Sequence, residues 1–154
     1  MRINATIGCV GDYGNPDGTG YSRMTLAEIA ETDQTAARTK LNAFHAALVA
    51  AELTATVKAD GAVTYNSETY VAKPDNDVNI DRKLVVRWRT LTDSSMHRLT
   101  IPGVPAESTG IEMVDSGERL NAVGKAALET AIETMYGLGA DTVVVLGGVV
   151  LQPA

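Results

Sequence analysis

The stretch "DTVVVLGGVVL", beginning at Asp141, most constrains what this chain can fold into. Val143, Val144, Val145, Leu146, Val149 and Val150 place apolar groups on both alternating sides of an extended segment. A half-wetted strand alternates apolar with polar residues; this one needs cover on both faces. The pair Gly147-Gly148 inside it predicts a bulge or a close approach of another backbone. The rest of the chain therefore has to supply surfaces that close over the strand.

The supply reads as one unit written twice. In the first half, "RINATIGCV" is short and β-branched, and "GDYGNPDGTG" interrupts it with four glycines and a proline. "YSRMTLAEI" then returns as the second strand of a hairpin with a long tip. Asp33 or Thr32 can cap a helix along which Leu41, Phe44, Leu48 and Ala51 form one apolar stripe. "LTATV" from Leu53 reads as a strand, and Asp60-Gly61 as a tight turn into "AVTY".

In the second half, "KLVVRWRTL" is a strand, "TDSS" a loop and "MHRLTIPGV" the return strand, stopped by Pro102 and Pro105. "PAESTGIEMV" is irregular. Asp115 with Glu118 has capping-box spacing and starts a helix whose buried face is Leu120, Val123, Ala127, Leu128, Ala131, Ile132 and Met135. Gly137 and Gly139 end it.

The fold class expected is α+β: two pseudo-repeated ββαβ units forming antiparallel or mixed sheets, each with one helix, sharing one core. The halves are residues 1–66 and 82–154 of a single compact domain. They are joined by a linker, 67–81, with room for a strand at "ETYVAK". Arg23-Met24-Thr25-Leu26 matches Arg98-Leu99-Thr100-Ile101, "LNA" at Leu41 matches "LNA" at Leu120, and "AAL" at Ala46 matches "AAL" at Ala126. The shared order of these matches carries the argument, against two unrelated α+β halves. Units this small are marginally stable alone, and two of them can cover each other's open faces.

Composition narrows the functional classes. Apolar residues make up 45% of the 154, enough for a core, and the charged fraction of 21% is well mixed. The net charge of −6 disfavours a nucleic-acid partner, which needs concentrated Lys and Arg. The one short basic run is Arg82, Lys83, Arg87 and Arg89. The single cysteine, Cys9, forms no intrachain disulfide and reads as a small core residue. The N-terminus lacks the long apolar stretch of a signal peptide, and the most apolar run is too short to cross a membrane. A soluble protein folded in the cytoplasm is expected.

No motif names a reaction. "GDYGNPDGTG" lacks the Gly-Lys-Ser/Thr of a phosphate loop and carries Asp12 and Asp17; it reads as a hairpin tip available for contacts. Asp75, Asp77, Asn79 and Asp81 place oxygens at alternate positions, as calcium requires. However, Ile80 stands where an EF-hand has its glycine, and Val86 where it has its glutamate, so a solvated linker is the stronger reading. His45 and His97 have no second ligand at metal spacing and no nucleophile elbow. Neither a catalytic residue, a cofactor nor a metal site is expected. Trp88 reads as core. Arg87 and Arg89 flank it on a wet, cationic face suited to an acidic neighbour, including another copy of the chain.

The stretch "NIDRKLVVRWRTLTDSSMHRLTIPGVP" (79–105), followed by a helix and an apolar strand, resembles small structural proteins encoded among the particle genes of tailed bacteriophages. The matching residues are Asn79-Ile80, Lys83 to Arg89 and Arg98 to Pro102, and the resemblance extends over 75–151. It implies a non-enzymatic virion protein, folded in the host cytoplasm and located in the virion. Capsid decoration or cement is favoured over a tail or neck role, with the major capsid or tail protein and further copies of itself as partners. The loop 12–20 and the segment 102–114 depart from the pattern. Partner contacts are expected at Asp12, Tyr13, Asn15, Asp17, Arg87, Arg89, Pro102, Val104 and Pro105. The alternative is a small-molecule-binding protein or enzyme on a duplicated ferredoxin-like or βαβββ scaffold. Metal-bearing members of that class put His and Glu on strands, and this chain has only His97 so placed.

Overall fold

The computed structural model describes residues 2–3, 6–11, 20–25, 29–30, 34–54, 68–70 and 82–151, with side chains for 35–36, 39–54 and 82–151. In chain order the strands are β1 (Arg2–Ile3), β2 (Thr6–Gly11), β3 (Gly20–Thr25) and β4 (Ile29–Ala30), followed by helix α1 (Gln34–Ala50) and β5 (Glu68–Tyr70). The second half holds β6 (Lys83–Thr90), β7 (Asp93–Ile101), β8 (Ile111–Val114), β9 (Gly117–Leu120), α2 (Ala122–Tyr136) and β10 (Val143–Leu151). The chain is α+β. Its largest sheet is antiparallel, in the order β7-β6-β10-β9-β8. A second sheet is ordered β3-β2-β5, and β1 pairs with β4.

One apolar cluster joins the two halves. Leu41, Phe44 and Leu48 of α1, with Leu53 just beyond it, meet Leu128, Ile132 and Met135 of α2. Beneath them lie Leu84, Val86 and Trp88 of β6, Leu99 and Ile101 of β7, and Val143, Val145 and Val150 of β10. Leu41, Leu53, Leu84, Leu128 and Ile132 have no measurable exposure, and burying such a side chain contributes about 1.5–3 kcal/mol each.

The termini of α2 are set by local chemistry. Asn121 is its N-cap and accepts a hydrogen bond from the Gly124 N–H at 2.9 Å. At the other end Gly137 adopts φ 67°, and the N–H groups of Gly137 and Leu138 return to the carbonyls of Thr134 and Glu133, which closes the last turn.

Several expectations are corrected. Asp115 does not cap α2: Asp115 and Ser116 both have positive φ, 49° and 70°, and form the tight turn of the hairpin β8–β9. The segment read as irregular thus ends in a strand, and "GERL", read as helix, is another. Val123 lies on the wet side of α2 at 63% exposure. The β6–β7 turn is Leu91-Thr92, so Asp93 to Ser95 already belong to β7. Leu53 and Thr54 are irregular and buried rather than strand. The strand allowed for at "ETYVAK" in the linker is present as β5, which pairs in parallel with β2.

Both halves place a hairpin before a helix and then a closing strand, but β5 runs parallel to β2 whereas β10 runs antiparallel to β6. The second half also inserts β8–β9. The matched "LNA" and "AAL" triplets fall on inequivalent turns: Leu41 lies well inside α1, whereas Leu120 precedes α2. The repeated ββαβ unit is not established by this topology. The expected caps Thr32 and Asp33, the Asp60-Gly61 turn and the oxygen-rich 75–81 stretch lie outside the described residues.

Candidate functional site

Among the described residues, the strand that demanded two covers has one. β10 sits in the middle of the large sheet, and the pairing with β6 slips by one residue between Val145 and Gly147. Leu146 is the extra residue, a bulge at the expected glycine pair. The bulge switches phase: Val143 and Val145 point into the core before it, Gly148 and Val150 after it. A Cβ at Gly148 would touch Leu84 and Leu120 at 3.1 Å, so this glycine is the close approach. On the outer side Leu146 and Leu151 are 44% and 51% exposed, and Val144 and Val149 are half-buried.

The outer face is cationic as well as apolar. Paired residues of an antiparallel sheet share a face. Arg87 pairs with Arg98 on β7 and with Gly147 on β10; Arg119 of β9 pairs with Val149; Lys83 pairs with Leu151; and Arg89 pairs with Val144. Arg87, Arg98 and Arg119 are exposed, Arg89 half-buried. Among the described residues one carboxylate, Glu112 opposite Arg119, shares the face. A shallow groove of about 740 Å³ crosses it, floored by Val85, Val149 and Leu151 and edged by Arg87, Arg119 and Lys125.

The opposite edge of β10 is closed by α2. β9 pairs with β10 at Val149 alone, which leaves the first half of β10 without a strand on that side among the described residues. Glu133 accepts from the N–H groups of Thr142 and Val143 at 2.9 and 3.1 Å, and Glu129 from that of Val145 at 3.0 Å. Two carboxylates thus satisfy strand donors that would otherwise be orphaned.

The expected contact residues divide. Arg87 and Arg89 lie on the outer face as read. Pro102 and Val104 do not offer a surface, because both are buried, and Pro105 is half-buried. The segment 102–105 is held inward. The Val104 N–H bonds to the Arg82 carbonyl, the Arg82 guanidinium donates to the carbonyls of Val104 and Pro105, and the Thr54 hydroxyl donates to the Pro102 carbonyl at 2.8 Å. Asp12, Tyr13, Asn15 and Asp17 lie outside the described residues. Sequence reasoning missed Arg98, Arg119 and Lys125. Alternation from Leu99 would have placed Arg98 outward, but Arg119 had been assigned to a helix.

Trp88 is core, as expected. His97 stacks on it with ring centroids 4.4 Å apart, and Tyr136 lies tilted at 5.7 Å. His45 is buried in α1. Among the described residues no three His, Cys, Asp or Glu side chains gather to hold a metal ion, and no helix is long and apolar enough to cross a membrane. Comparisons with protein-family models, curated proteins and solved structures found no match.

Proposed function

We propose that this chain is a non-enzymatic structural protein of a phage particle, located in the virion. In this reading it binds copies of itself and the capsid or tail protein, with capsid decoration favoured over a tail or neck role. The observation that carries the reading is the outer face of the large sheet. The residues on which the resemblance rests, Lys83 to Arg89 and Arg98 to Pro102, include nearly all of β6 and the last four residues of β7, the hairpin that presents this face. An apolar floor with a cationic border is suited to protein contact, because burying the floor drives association while the charges fix the partner and its register. A duplicated origin of the halves is supported by Arg23, Met24 and Thr25 standing, like Arg98, Leu99 and Thr100, on the return strand of a hairpin.

The test is composition of purified particles of the phage that encodes the chain. Quantitative mass spectrometry should find the chain in fixed ratio to the major capsid or tail protein, and immunogold labelling should place it on the particle surface. Abundance in infected cells with none in particles would overturn the reading.

A further inference from the structure

We infer that the outer face of the large sheet is where a second copy of this chain docks, through a carboxylate-rich segment of its first 81 residues. The inference rests on the self-association proposed above and names the surfaces that carry it. The face is incomplete as it stands. β10 is apolar on both sides, α2 covers one, and Leu146, Leu151 and Met96 remain 44%, 51% and 53% exposed on the other. Lone surface hydrophobics are ordinary, but this set lies on one continuous sheet surface.

Charge identifies the occupant. Lys83, Arg87, Arg89, Arg98 and Arg119 project from this face and Lys125 borders it, six of the 13 cationic residues of a chain whose net charge is −6. The opposite charge predominates elsewhere in the sequence: residues 1–81 hold eleven carboxylates against six cations, a net of −5 out of the chain's −6. Asp75, Asp77 and Asp81 form one acidic run there, and Glu28, Glu31 and Asp33 another. One copy therefore carries both halves of a complementary pair. The apolar floor argues for a polypeptide over a nucleic acid, whose phosphates would gain from the arginines but bury nothing against Val85, Val149 and Leu151.

The groove also has a built notch. At the bulge Gly147 contributes no side chain, and a Cβ there would meet nothing within 4 Å. Arg87 lies beside it in the sheet, and Arg119 and Lys125 line the same groove. A carboxylate entering this gap would meet charge-assisted donors while its stem covers Val149. Because donor and acceptor surfaces differ, the contact is head-to-tail, and repeated copies close into a ring or extend as a filament.

Sedimentation velocity of the full chain over a concentration series, at about 0.05 and about 0.5 M NaCl, tests this. The wild type should associate, and more weakly at the higher salt. Gly147→Val fills the notch without a clash, and Arg87→Glu with Arg98→Glu reverses the border. Each should weaken association roughly tenfold or more while leaving the melting temperature unchanged. Asp75→Lys with Asp77→Lys should do the same from the other side. A wild type that stays monomeric throughout overturns the inference, as does association that survives these changes. A monomer whose melting temperature falls with Gly147→Val also overturns it, since the face would then be covered by its own chain. Binding of duplex DNA by a non-associating wild type, lost in the Arg87→Glu/Arg98→Glu variant, overturns it in favour of a phosphate partner. Particle composition reads the proposed function independently, so either can fail alone.

Discussion

Arg82, one residue before β6, reaches Glu118 on β9 with both ends of its guanidinium: Nη1 to Oε2, and Nη2 to Oε1 at 2.6 Å. The two side chains are 8% and 20% exposed, and Nε of the same group donates to the Val104 carbonyl at 3.1 Å. One side chain thus ties the start of β6, the buried 102–105 segment and the β8–β9 hairpin together. A planar fork suits this role better than an ammonium would. Glu118→Ala strands a buried cation and should cost about 3–5 kcal/mol. Arg82→Ala should cost at least as much, since it also orphans loop carbonyls. The double change Arg82→Met/Glu118→Leu should recover much of the Glu118→Ala loss. Urea unfolding of the four proteins measures this, and two additive single losses would refute the coupling.

Gly124 reverses the usual sign of a helix substitution. Gly to Ala within a helix ordinarily gains up to about 1 kcal/mol. Here a methyl group would run into the Gly110 carbonyl oxygen and come within 2.5 Å of Leu120 Cδ1. The Asn121 N–H bonds to that Gly110 carbonyl at 2.9 Å, and the Asn121 side-chain amide donates to the Thr109 carbonyl, so neither backbone is easily displaced. Gly124→Ala should destabilise by about 1–3 kcal/mol. Gly147→Ala, facing open space, should stay within about 0.5 kcal/mol of wild type. A stabilised Gly124→Ala variant in chemical denaturation would show that this close packing is absent.

Glu133 is 8% exposed and serves two strand donors, which makes it the main closure of the β10 edge. Hydrogen bonds to a charged group contribute about 1.5–3 kcal/mol, and buried N–H groups left without a partner cost a comparable amount. Glu133→Ala should therefore lower stability by roughly 2–4 kcal/mol. It should also expose an unpaired edge, a template for strand addition. Glu133→Gln keeps one acceptor oxygen and should lose less. Denaturation midpoints together with turbidity on storage check both consequences; loss of stability without any aggregation would leave the edge-protection role unsupported.

What the sequence disclosed depended on how many physical signals agreed at each place. Leu128, Ala131, Ile132 and Met135 repeat at helical spacing, and all are buried in α2. Gly147-Gly148 marked the bulge. By contrast, "IEMVDSGERL" forms two four-residue strands carrying three charges, too short for a visible period, while Asp115 and Glu118 imitate a helix start. What decides that segment is the left-handed turn at Asp115 and Ser116, together with the tie from Glu118 to Arg82, neither of which is a local pattern. The same tie explains Pro102 and Val104. A Gly- and Pro-rich segment reads as a surface loop because buried loop backbone normally lacks partners, and here Arg82 and Thr54 supply them. Of the outer face, alternation alone disclosed Arg87 and Arg89, and Arg119 became visible only once β9 was known to be a strand.

Asp93 gives the hairpin a mild acid sensitivity. It follows the Leu91-Thr92 turn, and its carboxylate accepts a hydrogen bond from the Ser95 N–H at 2.8 Å. That bond, reinforced by the Ser95 hydroxyl and the charge of His97, holds the carboxyl below its ordinary value of 3.8. The folded chain therefore binds this proton more weakly than the unfolded chain. The contribution to stability is fully present above the ordinary value and is lost as pH falls through the lower folded value. Because the group is fully exposed, solvent screening keeps the effect small. Asp93→Asn retains an acceptor but cannot ionise. Its melting temperature should lie slightly below that of the wild type near neutral pH, and the gap should close as pH falls below the ordinary carboxyl value of 3.8 and the wild-type carboxylate takes up its proton. Thermal melts of both proteins across that range decide the matter: a gap that stays constant down to the acid limit would mean that the Ser95 contact does not favour the ionised form.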